Sequence, residues 1–286
     1  MGNFKAAAIQ MRSSIDPKKN ASDFEQMVRE AAAKGATYIQ TPEMTNAMVR
    51  DEAARSSLFG TVDEDIVAQT AARIAAELSI TIHVGSNAIV ASDGKLANRA
   101  LVYDAHRGLV ATYDKVHMFD VDLDNGESWR ESAAYEPGLE TVVLDLPQGR
   151  FGLAICFDVR FPQLFRAQAL AGAEVLTAPA AFTRQTGEAH WHVLLRARAI
   201  ENGAFVIAAA QGGLHEDGRE TFGHSLIIDP WGKVLADAGN DEPGIVYADI
   251  DTDAVAAARR KIPNLKNARE FSVRMIGTKA GLRAAS

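Results

Sequence analysis

The stretch from residue 99 to 156 constrains the fold more than any other part of this 286-residue chain. It contains "RALVYDAHRGLVATYDK" and "TVVLDLPQGRFGLAIC", each a pair of short apolar runs around a turn, Asp-Ala-His-Arg-Gly in one and Pro-Gln-Gly in the other. Runs so closely spaced are β-hairpins, and hairpin strands are antiparallel. The first third of the chain instead alternates strand, helix, strand, helix, strand. "FKAAAIQM" (4–11) is followed by a helix in "NASDFEQMVREAAAKG", with Phe24, Met27, Val28 and Ala31 on one face, then "ATYIQTPE", a helix over 64–78 and "ITIHVGS" over 80–86. Asn20 or Ser22 is available to cap the first helix and Gly35 to end it. After residue 156 come the helix "PQLFRAQALAGA", the strand "EVLTAPA", the helix "EAHWHVLLRARAIENG", the strand "AFVIAAAQ", another hairpin in "HSLIIDPWGKVLADA" and the strand "GIVYADID". Helical crossovers make parallel neighbours and hairpins make antiparallel ones, so the sheets are mixed. Two such sheets packed together with helices outside satisfy both signals. The expected fold is α/β, a four-layer α-β-β-α sandwich.

Strand signals run from residue 4 to 250 without a Pro/Ser-rich linker, so one domain is expected over 1–286. A last helix over about 252–261 ends before Pro263, and the polar, basic tail from about 262 reads as an arm for a partner subunit. A net charge of −7 with no Lys/Arg run argues against a nucleic-acid surface. No stretch approaches the roughly 20 apolar residues that span a bilayer, so no membrane partner is expected. With one cysteine there is no internal disulfide, and no basic start joins an apolar run, which fits the cytoplasm.

Three chemically different side chains interrupt apolar strands at the same kind of place. Glu43 follows "YIQTP", Lys115 follows "LVATYD" and Cys156 follows "FGLAI", each at the C-terminal end of a predicted strand, the edge where α/β sheets bind ligands. Taken singly, the two charges are ordinary at strand ends, and a lone cysteine is commonly an inert core residue. The order strand, Cys156, "FDVRFP", helix puts the thiol at a sharp turn near a helix N-terminus and a lysine, a setting that lowers a thiol's pKa. A carboxylate there can act as general base. Among the histidines, His117 can reach the same strand end or be a hydrogen-bonded structural residue. His190 and His192, two apart on a helix, point to different faces and make no metal pair, and His224 opens a strand.

"TPEM", "YDKVHMFDVD" and "ICFDVRFPQL" resemble, in order, the Glu, Lys and Cys motifs of the nitrilase superfamily of carbon-nitrogen hydrolases. The resemblance extends from "AAAIQM" through "RARAIENGAFVIAAAQ" and "GHSLIIDPWGKVL" to "IPNLKNARE". Within the superfamily it is nearest the Nit branch, where "LRARAIENGAFVIAAAQGG" and "TGEAHW" are similar to the deaminated glutathione amidases. It implies Glu43 as general base, Lys115 as stabiliser of the tetrahedral intermediate and Cys156 as nucleophile. Glu131, in "WRESAAYEPG", matches a second glutamate close to the lysine, and otherwise reads as a surface loop residue.

The chemistry fits those types, because amide cleavage through a thioester needs a nucleophile, a proton donor for the departing ammonia and a positive partner for the oxyanion. The Phe157 N–H would be a second oxyanion donor. Substrates of the branch carry an α-keto acid carboxylate, which Arg160 can meet in bidentate fashion unless it pairs with Asp158. Phe182 and Thr186, in "AAFTRQTG", would line the pocket, although Phe182 reads equally as core. No metal is required and no phosphate-binding or dinucleotide glycine motif is present, so no cofactor is expected.

The implied reaction is hydrolysis of the ω-amide of a small α-keto acid. The sister omega-amidases, acting on α-ketoglutaramate or α-ketosuccinamate, are the alternative, and a broader aliphatic amidase or nitrilase a further one. A binding or scaffold protein would have no need of all three of Glu43, Lys115 and Cys156. Family members assemble as homodimers or homotetramers, for which the helix at 187–202 and the arm are candidate interfaces.

Overall fold

A computed structural model describes residues 2–91, 94–122, 126 and 128–276. In chain order the elements are β1 (Asn3–Gln10), α1 (Pro17–Ala33), β2 (Tyr38–Gln40), α2 (Glu52–Leu58), α3 (Ile66–Leu78), β3 (Thr81–Val90), β4 (Leu96–Asp104), β5 (Gly108–Asp114), β6 (Asp120–Asp122) and β7 (Ser128–Arg130). They continue with β8 (Val142–Leu146), β9 (Gly149–Leu153), α4 (Pro162–Leu170), β10 (Val175–Thr177), α5 (Arg184–Asn202), β11 (Phe205–Ala208), β12 (Gly212–Leu214), β13 (Glu220–Phe222), β14 (Leu226–Ile228), β15 (Val234–Asp237), β16 (Gly244–Asp251) and α6 (Asp253–Lys261).

Two six-stranded sheets carry the fold, in the orders β16-β1-β2-β3-β4-β5 and β15-β14-β11-β10-β9-β8. Both are mixed, and read from β16 and from β8 they share one pattern. The successive pairings are antiparallel, parallel, parallel, antiparallel, antiparallel. Strand alternation assigns the layers. In β1, Ala7 and Ile9 pack with Phe24 and Val28 of α1 and Ile74 of α3, while Phe4, Ala6 and Ala8 face the second sheet. Phe165 of α4 and Trp191 and Leu195 of α5 join the core on the second sheet's side. The result is the expected α-β-β-α sandwich.

The ends of elements differ from the sequence expectation where polar residues compete for the backbone. Helix α1 begins at Pro17 and is capped by Asp16, whose carboxylate accepts the Lys18 N–H at 2.9 Å. Asn20 is instead buried inside the first turn, donating to Ser14 O and Asn46 O. Helix α2 and the three-residue hairpins β6/β7 and β12/β13 were not anticipated, since such short segments carry no measurable periodicity. Past α6, Phe271, Val273, Met275 and Ile276 are exposed, and the end of the expected arm, 277–286, lies outside the described residues.

Candidate active site

Three turns bring the strand-end residues together. Glu43 lies three residues past β2, in a tight turn held by Thr45 Oγ1 donating to Pro42 O at 2.8 Å and by the Met44 N–H donating to Ser86 Oγ at 3.1 Å. Gly85 lies beneath this turn, where a Cβ would collide with Thr41 O and with Pro179, so only glycine allows the approach. Pro179 O in turn accepts the Cys156 N–H at 2.9 Å. Cys156 itself has φ of +48°, the left-handed region, at the start of a 3-10 turn (Cys156–Arg160) that precedes Pro162 at the start of α4. A non-glycine residue held there is strained, and such strain concentrates at functional sites.

Asp158 locks this elbow to the end of β5. Its buried carboxylate accepts from the Ile155 N–H at 2.8 Å, Tyr113 OH at 2.7 Å and the His117 N–H at 3.1 Å, and it bonds His117 Nδ1 at 2.7 Å. The His117 ring stacks on Phe161 with centroids 3.5 Å apart, so His117 is a structural residue. The β4/β5 register continues past Arg99 and Asp114 to set Asn98 against Lys115, whose N–H donates to Asn98 O at 2.9 Å.

These turns assemble a buried charge cluster. Lys115 Nζ donates to Glu43 Oε1 at 2.9 Å and to Glu131 Oε2 and Oε1 at 2.8 and 3.0 Å. Asn98 Nδ2 bridges the same two carboxylates at 2.8 and 2.9 Å. The Ala181 N–H donates to Glu43 Oε2 at 2.8 Å, and the Phe119 N–H to Glu131 Oε2 at 2.7 Å. The Cys156 thiol shares the cavity wall with Glu43 and Lys115 and feels the charge of both. The Glu43, Lys115 and Glu131 side chains are 6, 2 and 12% exposed, so water cannot substitute for any of these partners.

Electrostatics overturn one sequence expectation. The thiol's pKa is raised, first by burial and then by the Glu43 charge, and Lys115 only partly opposes them. Burial pushes the Glu43 carboxyl up, but the charge of Lys115 and the hydrogen bonds from Lys115 and Asn98 outweigh it and hold the carboxyl below its usual value. Burial pushes the Lys115 ammonium down, yet Glu131 and Glu43 hold it well above its usual value. The resting trio is therefore a neutral thiol, a carboxylate base and an ammonium. Lysine beside a thiol lowers its pKa only when neither burial nor a nearby carboxylate outweighs it.

The cluster opens into a cavity of about 510 Å³ whose wall includes Glu43, Lys115, Glu131, Cys156, Phe157, Phe182 and Thr186. Thr186 Oγ1 bonds Thr183 Oγ1 at 2.7 Å, and Phe182 also packs on Trp191 at 4.9 Å, so it serves both core and wall. Arg160 is not in the wall itself. Its guanidinium lies over the Phe182 and Phe157 rings at 5.1 and 5.7 Å, with His190 Nδ1 at 3.2 Å. Asp158, fully engaged elsewhere, is not its partner. The sequence reading missed Asn98, the Ala181 N–H and the wall arginines Arg50, Arg55 and Arg219. Hairpin register alone pairs Asn98 with Lys115, a signal that was available.

Among the described residues, His192, His224 and Asp237 are the one group spaced to hold a metal ion, with ligand atoms within 4.8 Å of one another. Asp237 bonds both rings, at 2.9 and 3.0 Å, and none of the three lines the cavity.

Residues 5–260 match the Carbon-nitrogen hydrolase family. The chain is 37% identical over 276 residues to a deaminated glutathione amidase of Yersinia enterocolitica, covering 95% of each chain. It is 38% identical over 269 residues to that of Homo sapiens, covering 92% of this chain and 81% of the relative. The crystal structure of the C. elegans NitFhit protein superposes with a TM-score of 0.87 at 33% identity, covering 94% of this chain and 66% of that longer one.

Proposed function

This chain belongs to the carbon-nitrogen hydrolase family, and from that premise we propose that it is an amidase hydrolysing the ω-amide of a small α-keto acid, deaminated glutathione first. The observation that carries the reading is the Cys156 thiol set in one cavity wall with a carboxylate, Glu43, that Lys115, Asn98 and the Ala181 N–H hold charged and fixed.

The chemistry follows from those protonation states. Because the thiol is neutral at rest, Glu43 takes its proton as Sγ attacks the amide carbonyl carbon. The oxyanion is met by the Lys115 ammonium and the Phe157 N–H, a first-turn donor without an intrahelical partner. Collapse breaks the C–N bond as Glu43 passes the proton to the leaving nitrogen, and the acyl group remains as a thioester on Cys156. Glu43 then takes a proton from water, hydroxide adds to the thioester carbon, and the departing thiolate recovers a proton from Glu43. Glu131 balances and orients Lys115. In deaminated glutathione the leaving amine is cysteinylglycine rather than ammonia, whereas α-ketoglutaramate releases ammonia. Both yield α-ketoglutarate.

Arg160, which has no carboxylate partner among the described residues and lies over two cavity-wall rings, is suited to the α-keto acid carboxylate. We also read the protein as a cytoplasmic homodimer or homotetramer. Among the described residues no helix is long and apolar enough to cross a membrane, and exposed Val193 and Ile200 on α5 together with Phe271 and Ile276 offer apolar contact area. Light scattering of the purified protein tests the assembly.

The activity test measures α-ketoglutarate release from deaminated glutathione and from α-ketoglutaramate. The wild type is expected to turn over the first faster, and Cys156→Ala to lose at least about 10⁴-fold in kcat. Preference for α-ketoglutaramate would make the protein an omega-amidase. Activity surviving in Cys156→Ala would remove the thioester route.

A further inference from the structure

We propose that Arg50, Arg55 and Arg219 form a second anion subsite in the cavity wall, which binds a carboxylate carried by the leaving amine. This deepens the amidase reading and rests on it.

Among the described residues four arginines line the cavity, and they are not equivalent. Arg130 is neutralised by Asp122 at 2.9 Å. Arg219 pairs through Nε with Asp217 at 2.7 Å and donates from Nη2 to Val49 O at 3.1 Å. Among the described residues Arg50 and Arg55 have no carboxylate partner, and the buried Nε of Arg55 has no hydrogen-bond partner. Glu220, in the same wall, is taken by Arg184 at 2.6 Å. A cavity whose carboxylates among the described residues are all engaged, and which retains guanidinium groups without a carboxylate partner there, favours an anion.

The arginines also have a defined position relative to the nucleophile. A row of aromatic rings runs from Phe157, next to Cys156, to Phe119 at 5.2 Å and on to Trp129 at 6.3 Å. At one end Arg160 lies over Phe157. At the other, Arg50 and Arg219 lie over Trp129 at 4.4 and 5.2 Å. The charges of Arg219 and Arg55 are both felt at the buried Tyr135 phenol, whose oxygen lies 3.9 Å from the sulfur of Met44, the residue after Glu43. A cationic side chain thus lies at each end of the apolar row, Arg160 behind the rings at one end and the wall arginines at the other, with the thiol beside the first. An acyl group anchored at Arg160 leaves the amine half to extend along the rings. A two-residue amine spans about 7 Å when extended, which carries its terminal carboxylate along the ring row towards Trp129 and the arginines beside it. Ammonia, the leaving group of an unsubstituted amide, uses none of this.

The test compares α-ketoglutaryl-Cys-Gly with its C-terminal carboxamide, which keeps every atom of the amide under attack and removes only the distal charge. For the wild type, kcat/KM for the acid is expected to exceed that for the carboxamide by about 10- to 100-fold, the range for one charge-assisted interaction. In the Arg50→Gln/Arg55→Gln protein the ratio should collapse towards one, and a ratio does not depend on how much of the variant is folded. Equal rates in the wild type, or a ratio retained in the variant, would overturn the subsite. α-Ketoglutaramate separates the two readings. If it alone is hydrolysed, the subsite fails and the amidase stands. If none of the three is hydrolysed, the amidase reading fails and the subsite falls with it.

Discussion

The molecule contains two compact charge networks with nearly identical distances and opposite surroundings. On the outer face of α1 and α3, Arg29 forks onto Glu77 at 2.8 and 2.8 Å and reaches Glu25 at 2.8 Å, and Arg73 reaches Glu25 at 2.7 Å. In the site, Lys115 joins Glu43 and Glu131 at 2.9 and 2.8 Å. By distance alone the surface network is the better one, since its arginine is bidentate. The difference lies in exposure, 30 to 52% for the surface side chains against 2 to 12% in the site. Water stands ready to replace any surface partner, while each buried group depends on the others. Ion-pair geometry therefore does not mark function in this fold. Desolvated charge held in place by the backbone does.

Removing the buried cation gives the largest effect on the fold. Lys115→Met keeps the volume but leaves Glu43 and Glu131 facing each other without a counter-charge. Loss of one partner of a buried pair destabilises by about 3–5 kcal/mol, and the proposed oxyanion partner goes with it. Urea unfolding should show the full shift, and amidase activity should vanish. A Lys115→Met protein with unaltered stability would mean that water enters the cluster, and the contrast between the networks would be lost.

A pH series probes the same contrast with a smaller effect. Glu43 titrates below its ordinary 4.5 in the native state, so its contribution is complete above 4.5 and is lost as pH falls through the native value. Lys115 titrates above its ordinary 10.5, so its contribution is complete below 10.5 and is lost as pH rises through the native value. Between about pH 6 and 9 neither group changes charge, and the thiol, held up by burial, stays protonated. The expected log kcat/KM is flat over that range. A slope near one per pH unit would identify free thiolate as the attacking species and contradict the concerted transfer to Glu43.

Much of this arrangement is legible in the sequence because it is written in strand ends. Glu43, Lys115 and Cys156 each follow an apolar run, and the architecture that converges those ends follows from counting hairpins and crossovers. What is not legible has a common cause: it depends on one segment meeting another at a distance the sequence does not state. The direction of the thiol's pKa required knowing that the thiol is buried and that Glu43 acts on it more strongly than Lys115 does. The Ala181 N–H carries no side-chain signal. Asp158 looked like a partner for Arg160, yet it turns inward to tie Tyr113 and His117 to the elbow. Asn98 was within reach, because the β4/β5 register that sets Arg99 opposite Asp114 sets Asn98 beside Lys115.

The smallest expected effect falls on the network with the better geometry. Glu77→Gln removes the carboxylate on which Arg29 forks, yet Arg29 and Arg73 both retain Glu25. Glu77 titrates below its ordinary value because of the Arg29 hydrogen bonds, and that preference is screened where both partners are wet. In 1 M salt, where the screening length is about 3 Å, the urea midpoint of Glu77→Gln should coincide with that of the wild type, with only a slight loss at low salt. Lys115→Met, measured beside it, should keep its deficit at both salt concentrations, because buried charges are hardly screened. Equal salt sensitivity in the two variants would show that the site exchanges ions with solvent. Glu43 and Lys115 would then owe their protonation states to the medium, and the neutral thiol at the centre of the proposed chemistry would no longer be fixed by the fold.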